Sequence, residues 1–289
     1  MTTRIRLDGK VVVVTGAGRG LGAAYARHLA ELGARVVVVD VDADVAEETT
    51  ESIRTSGGQA VVHVGSVADP TVADAVVDAA VRRWGRLDGL VNNAGIFYAS
   101  TIAAEEPDRV RRLVEVNVLG TVYCGLAALR RMLEQGWGSL VNITSGSQSG
   151  TSGLAVYSAS KGAVASLTYS WALEVAGSGV RVNALSPNAE TRMAATYEAW
   201  RGRTDGGQNL GKPPSENAPA LAYLLSDASG RLNGQVLRVD GGELAVVGHP
   251  RPLVPPAVRD TWTVDAVAEA VAGELDGQLQ PLGLSVAGS

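Results

Sequence analysis

Cysteine is almost missing from this chain. Cys124 is the single one, set in an apolar run, so no disulfide can form within the chain and a buried free thiol is the expected state. Histidine is nearly as scarce. His28, His63 and His249 lie far apart, without metal-ligand spacing, so no metal site is expected. Lysine stands at only three positions, Lys10, Lys161 and Lys212. With a net charge of −5 and no basic run or face, nucleic acid is excluded as an expected partner. Residues 1–10 hold no apolar signal core, no stretch is expected to span a membrane, and the final Val-Ala-Gly-Ser is no peroxisomal address. These absences predict a cytoplasmic location and no membrane partner.

The 289 residues are 46% hydrophobic and 19% charged, enough to build a sizeable core in one large domain. Apolar runs at 11–14, 35–39, 59–64, 87–91, 139–144, 180–185 and 235–239 read as buried strands. Helical stretches at 21–32, 44–56, 69–84, 107–135, 155–176 and 216–226 alternate with them, the fourth broken near its start. This alternation predicts an α/β fold, a doubly wound parallel sheet with helices on both faces. Residues 187–214 read as a loose segment. The Pro-rich stretch 249–256 separates residues 1–248 from a C-terminal extension, 249–289. In that extension Val264, Val267, Val271 and Leu275 form one stripe of a short helix with Thr263 as its cap.

Chemistry concentrates between Leu140 and Val164. A strand ends at Ser145, a Gly/Ser loop follows, and Tyr157 and Lys161 then stand four apart on one helix face. A phenol, an ammonium and a hydroxyl gathered there suit proton transfer to or from an oxygen. An ordinary buried tyrosine beside a surface lysine is the plain alternative. The turn Thr15-Gly16-Ala17-Gly18-Arg19-Gly20-Leu21-Gly22 joins the first strand to the first helix. Its glycines let backbone approach a pyrophosphate, and the helix start offers free N–H groups to that anion. Asp40 ends the second strand, 18 residues beyond Gly22. A carboxylate there accepts both hydroxyls of an adenosine ribose and repels a 2′-phosphate, which favours NAD over NADP. Arg19 argues the other way, and Asp40 is weighted above it.

Together with Asn92-Asn93-Ala94-Gly95, Asn117 and Asp240-Gly241-Gly242, these pieces resemble the short-chain dehydrogenase/reductase family over residues 5–245. The resemblance implies a Rossmann-like seven-stranded sheet and nicotinamide chemistry on a small-molecule alcohol or carbonyl. It implies Tyr157 as the acid/base, and Lys161 as the cation that eases its ionisation and bonds the nicotinamide ribose. Ser145 would orient the substrate oxygen, and Asn117 would continue the proton relay through a water. Gly16, Arg19, Gly20, Leu21, Gly22, Asp40, Val41, Ser66, Val67, Asn93, Ala94, Gly95, Tyr157, Lys161, Pro187, Asn188 and Thr191 would bind the cofactor, with the adenosine beside Asn93, Ala94 and Gly95. A homodimer or homotetramer is implied, built on the helices around Val116 and Ala163, where Gly120, Gly125 and Ala159 allow close approach.

The chain departs from the family pattern in three places. Ser145 lies one residue nearer Tyr157 than usual, so Thr144 or Ser147 competes for its role, with Ser145 favoured. Ser66-Val67 stands where an Asp is usual. Pro187-Asn188 lacks the usual glycine. A narrower likeness rests on the segment Gly18–Tyr25, on Ser215-Glu-Asn-Ala-Pro219 and on Trp262-Thr-Val264. It points to bacterial members similar to the dehydrogenase unit of peroxisomal multifunctional enzymes, which act on (3R)-hydroxyacyl thioesters. Residues 188–214 would form a substrate lid, mobile through Gly202, Gly206, Gly207 and Gly211, with Tyr98, Gln148, Tyr197 and Trp200 as substrate contacts. Two competing functions stand beside the oxidoreductase. One is a non-redox cyclase, epimerase or dehydratase that retains a nucleotide. The other is a binding protein that senses NAD(H).

Overall fold

A computed structural model describes residues 5–202, 212–281 and 283. The chain divides into two compact units, Met1–Val247 and Gly248–Ser289. In the first, strand β1 (Val11–Thr15) is fully buried, because its valines serve two cores at once. Val12 and Val14 enter one apolar cluster and Val11 and Val13 the other, as the two-residue period of a strand requires. Helix α1 (Gly20–Glu31) packs in the first cluster through Tyr25, Ala26 and Leu29. Strand β2 (Arg35–Asp40), helix α2 (Ala43–Thr55), strand β3 (Gln59–Val64) and helix α3 (Pro70–Trp84) follow in alternation. Asp69 caps α3 through the Thr71 N–H at 2.9 Å, and Pro70 fits its first turn.

Strand β4 (Gly89–Asn92) starts two residues later than its apolar run suggests, because Leu87 and Asp88 form the approach to it. The predicted long helix is divided in three: helix α4 (Pro107–Val114), a π-turn (Glu115–Leu119) and helix α5 (Gly120–Gln135). By length and composition alone, Pro107–Gln135 suffices to cross a bilayer, which corrects the expectation that no stretch does. Half of its most apolar window is buried within this fold, through Cys124, Ala128, Leu129 and Met132 in the second core. Strand β5 (Gly138–Ile143), helix α6 (Ala155–Glu174) and strand β6 (Val180–Pro187) come next. The segment expected to be loose contains helix α7 (Arg192–Trp200), capped by Thr191 Oγ1 from the Ala194 N–H at 3.2 Å. Gly206, Gly207 and Gly211 of the expected lid lie outside the described residues.

Helix α8 (Ala218–Leu225) leads to β7 (Val236–Asp240), and a further strand β8 (Glu243–Val247) then folds back on it. Among the described residues the sheet therefore has eight strands, not seven, in the order β3-β2-β1-β4-β5-β6-β7-β8. The first seven are parallel; β8 pairs antiparallel with β7, from Asp240↔Glu243 to Val236↔Val247. The chain reverses between β1 and β4, and ligands of such sheets bind beyond the carboxyl ends of the strands there.

In the second unit, helix α9 (Val264–Ala272) is capped by Thr263 Oγ1 from the Ala266 N–H at 3.1 Å. Arg259 pairs with Glu274 and lies over the Trp262 ring. The valine stripe does not find a core here: Val264, Val267 and Val271 are all exposed, and only Ala270 of the helix is buried.

Candidate active site

The carboxyl ends of β1, β2, β4, β5 and β6 open on a cleft of about 1050 Å³. At one end the turn after β1 is shaped by crowding. A Cβ on Gly22 would stand 2.1 Å from the Gly16 carbonyl oxygen, and one on Gly16 would stand 2.7 Å from Ala94 Cα, where φ is already +62°. Only glycine fits either position. Asn93 locks the turn from below, its Nδ2 donating to the carbonyls of Thr15 (2.9 Å) and Gly16 (3.0 Å). Thr15 Oγ1 accepts from the N–H groups of Asn93 and Ala94, both at 3.1 Å. Helix α1 has no side-chain cap and no acid in its first turn, so its leading N–H groups face the cleft unpartnered by side chains. That is the arrangement an anion needs.

Asp40 stands across this turn. Its Oδ2 accepts from Gly18 N–H at 2.9 Å and its Oδ1 from Asp42 N–H at 3.1 Å. Each oxygen keeps a lone pair toward the cleft. Arg19 is drawn to Asp42 at 2.9 Å. Val41, mostly exposed, forms the rim, and Ser66 and Val67 line the same end, Val67 against Gly120. A dinucleotide fits these residues: crowded glycines, uncapped amides, and a carboxylate held against the turn's own backbone.

At the other end Tyr157 and Lys161 project from the first turns of α6, as their spacing predicts. Burial pushes the Tyr157 phenol up to about 12, and its hydrogen bond with Ser145 acts against that rise. Burial brings the Lys161 ammonium down to about 8. Lys161 Nζ donates to the Ile143 carbonyl at 2.8 Å and lies 5.7 Å from the Tyr157 ring centre. Ser145 also accepts from Ser147 N–H at 3.2 Å, while the Thr144 hydroxyl turns to the Leu185 carbonyl at 3.4 Å. Of the three hydroxyls weighed from sequence, Ser145 is the one whose side chain acts on the phenol, and both line the cleft.

Asn117, in the π-turn, is buried and does not line the cleft. Its Oδ1 accepts from Ile96 N–H at 2.8 Å, and its Nδ2 donates to Ile96 O at 3.0 Å and to Ser160 Oγ at 3.2 Å. The amide clamps the backbone just before Phe97. Asn188 lines the cleft at the end of β6, tied by its Nδ2 to Asp240 Oδ1 at 2.7 Å. Pro187 and Thr191 line it too.

The four expected substrate contacts divide. Tyr197 lines the cleft. Trp200 stacks on Tyr197 at 6.0 Å without lining the cleft, and Gln148 does not line it either, its Oε1 being buried. Tyr98 is turned away, its hydroxyl donating to Glu105 at 3.0 Å and its ring under Arg109 at 4.2 Å. Phe97, which the sequence reading does not single out, lines the cleft and stands edge-on to Tyr157, with ring centres 5.2 Å apart. Its signal was available: it is the chain's single phenylalanine and follows Asn-Asn-Ala-Gly-Ile directly. A smaller cavity of about 370 Å³ includes Lys10, Asp88, Trp137 and Asp227. Lys10 pairs there with Asp227 at 2.7 Å and Asp88 with Arg86, and the Arg181 guanidinium donates to the carbonyls of Leu224, Ser226, Ser229 and Leu232.

Residues 10–202 match the short chain dehydrogenase family. A cis-4-hydroxycyclohexanecarboxylate dehydrogenase of Sinomonas cyclohexanicum is 41% identical over 82% of this chain and 97% of its own. A short chain dehydrogenase structure from Mycobacterium avium superposes with a TM-score of 0.83 at 30% identity, covering 98% of this chain and 99% of that one. A gluconate 5-dehydrogenase from Burkholderia cenocepacia, in complex with NADP and tartrate, gives a TM-score of 0.72 at 36% identity over 82% of this chain and 96% of that one.

Proposed function

This chain belongs to the short chain dehydrogenase family, and from that premise we propose that it interconverts a secondary alcohol and a ketone with NAD(H), Tyr157 serving as acid/base. The convergence of Ser145, Tyr157 and Lys161 in one cleft with the glycine turn carries the reading. The relative named for a hydroxycyclohexanecarboxylate supports a secondary hydroxyl as the reacting group. A bound nicotinamide supplies the hydride acceptor or donor. The chain's own residues handle the proton. Ser145 Oγ holds the substrate oxygen beside the phenol, and Tyr157 Oη takes or gives the proton. Lys161, charged below about pH 8, stabilises phenolate through space. In the protein alone the phenol stays protonated at neutral pH, the form that donates to a ketone. Reduction is therefore expected to hold at neutral pH, and alcohol oxidation to rise as pH increases.

The NAD preference rests on Asp40 and on the pairing of Arg19 with Asp42, which occupies the guanidinium a 2′-phosphate would need. Two like charges at contact distance repel by about 1 kcal/mol in water and about 4 kcal/mol at a protein surface. The Burkholderia neighbour holds NADP, so the preference needs its own test. Fluorescence titration with NADH and NADPH supplies it: tighter NADPH binding refutes the assignment. Turnover with ketones and secondary alcohols, lost in Tyr157→Phe with NADH binding intact, tests the chemistry. Tight dinucleotide binding without redox change on any substrate would favour the non-redox reading. Leu119, Leu126 and Leu133 remain partly exposed at intervals of seven along the π-turn and α5. They support assembly of a homodimer or homotetramer on that face.

A further inference from the structure

Resting on the alcohol–ketone reading, we infer that Phe97 and Tyr197 form a fixed aromatic corner that selects ring-shaped secondary alcohols over open-chain ones. Phe97 stands edge-on to Tyr157, with ring centres 5.2 Å apart and planes at 78°. The same ring stands edge-on to Tyr197, at 6.4 Å and 87°. Both rings line the cleft that holds Tyr157 and Ser145, so a substrate whose oxygen meets those two has Phe97 beside its carbinol carbon and Tyr197, perpendicular to Phe97, as the next wall. Such edge-to-face pairs are a preferred aromatic geometry.

Both walls are braced from outside the cleft. Asn117 clamps Ile96, the residue before Phe97, by two hydrogen bonds of 2.8 and 3.0 Å. Tyr197 donates its hydroxyl to the Ser152 carbonyl at 2.9 Å, tying helix α7 to the loop before α6. Trp200 stacks on Tyr197 with planes 12° apart and covers Gly153, where a Cβ would stand 2.3 Å from the indole. Gly153 has φ of +76°, so the loop keeps glycine for both reasons. Helix α7 cannot swing away without breaking the Tyr197–Ser152 bond and lifting Trp200 off Gly153.

A fixed corner rewards a rigid ligand. A saturated ring presents a compact face to both walls and gives up little internal rotation on binding. An open chain must fold against the same walls and loses several rotors in doing so. This argues against the hydroxyacyl thioesters suggested by the narrower sequence likeness, whose chains need an extended channel past Tyr157.

The experiment compares cyclohexanol with 2-hexanol, matched in carbon number, on the full-length NAD-loaded protein. Initial rates give kcat and KM, and saturation-transfer NMR reports binding without turnover. Wild type is expected to favour the ring by about tenfold in kcat/KM, the scale on which a small change of fit in an apolar pocket discriminates. Phe97→Leu is expected to bring the ratio near one, mostly through KM, with NADH affinity unchanged. Tyr197→Leu repeats the test should the first variant fail to fold. Tyr197→Phe, which keeps the ring and drops the tie to Ser152, is expected to give an intermediate ratio. A wild-type ratio near one, or a full ring preference surviving in Phe97→Leu and Tyr197→Leu, overturns the inference while leaving the redox reading intact. Ring-selective binding with no turnover of either alcohol, or of any other secondary alcohol or ketone assayed, would support the corner and overturn the redox reading instead.

Discussion

Lys161 illustrates how a proposed catalytic residue is carried at a cost to stability. It is buried, its ammonium lies near 8 against an ordinary value of 10.5, and the Ile143 carbonyl is its one hydrogen-bond acceptor among the described residues. Between those two values the unfolded chain binds a proton that the folded chain does not. Stability from this group therefore rises with pH across that window and is lowest below about pH 8. A shift of this size corresponds to about 3 kcal/mol. Lys161→Met is expected to be inactive yet more stable than wild type at pH 7, with the difference shrinking toward pH 10; urea titrations at both values check this. Cys124 and Tyr157, whose burial raises them to about 12, weaken both proteins alike in strong alkali, so the comparison isolates the lysine. Glycine gives the opposite case, a residue whose replacement costs both stability and function. Gly22→Ala would drive a methyl into the Gly16 carbonyl. It is expected to lower the melting temperature and to weaken NADH binding at least about tenfold, read by thermal melts and fluorescence titration.

Among the elements, those that repeat a strong period were legible in the chain. The valine runs of β1 and β2 and the caps of α3 needed nothing from elsewhere in the molecule. Of the site, the glycine turn, Asp40, Tyr157 and Lys161 were equally legible, because each sits at a strand end or on a helix face that its neighbours define. What was not legible depended on distant partners. Asn117 reads as a polar group in a helix, and only the fold brings Ile96 to it. Helix α7 has no buried residue to mark its period and is held by its Thr191 cap and by Ser152. Strand β8 is different, since its signal is local. Gly241-Gly242 between apolar runs is a hairpin turn signature. Substituting Gly241, where φ is +59°, by Val is expected to detach β8 and to lower thermal stability modestly, by about 1–2 kcal/mol, without abolishing NADH binding.

For the whole molecule, the division after Val247 makes a direct prediction. The first unit holds both apolar clusters and every residue named in the cleft. A chain ending at Val247 is expected to fold and to bind NADH with unchanged affinity. Deleting the extension is expected to act on substrate affinity or on assembly instead, read by KM and by light-scattering mass. Unchanged values for both would remove any role for the extension in either. That a structure from Mycobacterium avium covers 98% of this chain, extension included, shows that such a tail belongs to at least one other member of the family.

The π-turn at Glu115–Leu119 has a consequence for how this chain tolerates insertions and deletions. The turn holds one residue more than an α-helix would over the same rotation, so the helices on either side keep their facing while the residues within the turn are displaced. Asn117 lies inside it, buried and bonded to Ile96. Excising a single residue there is expected to restore an unbroken α-helix, to leave Leu113 and Cys124 in the core, and to take Asn117 away from Ile96. Here a shorter chain would make a better helix and lose the clamp behind the cleft.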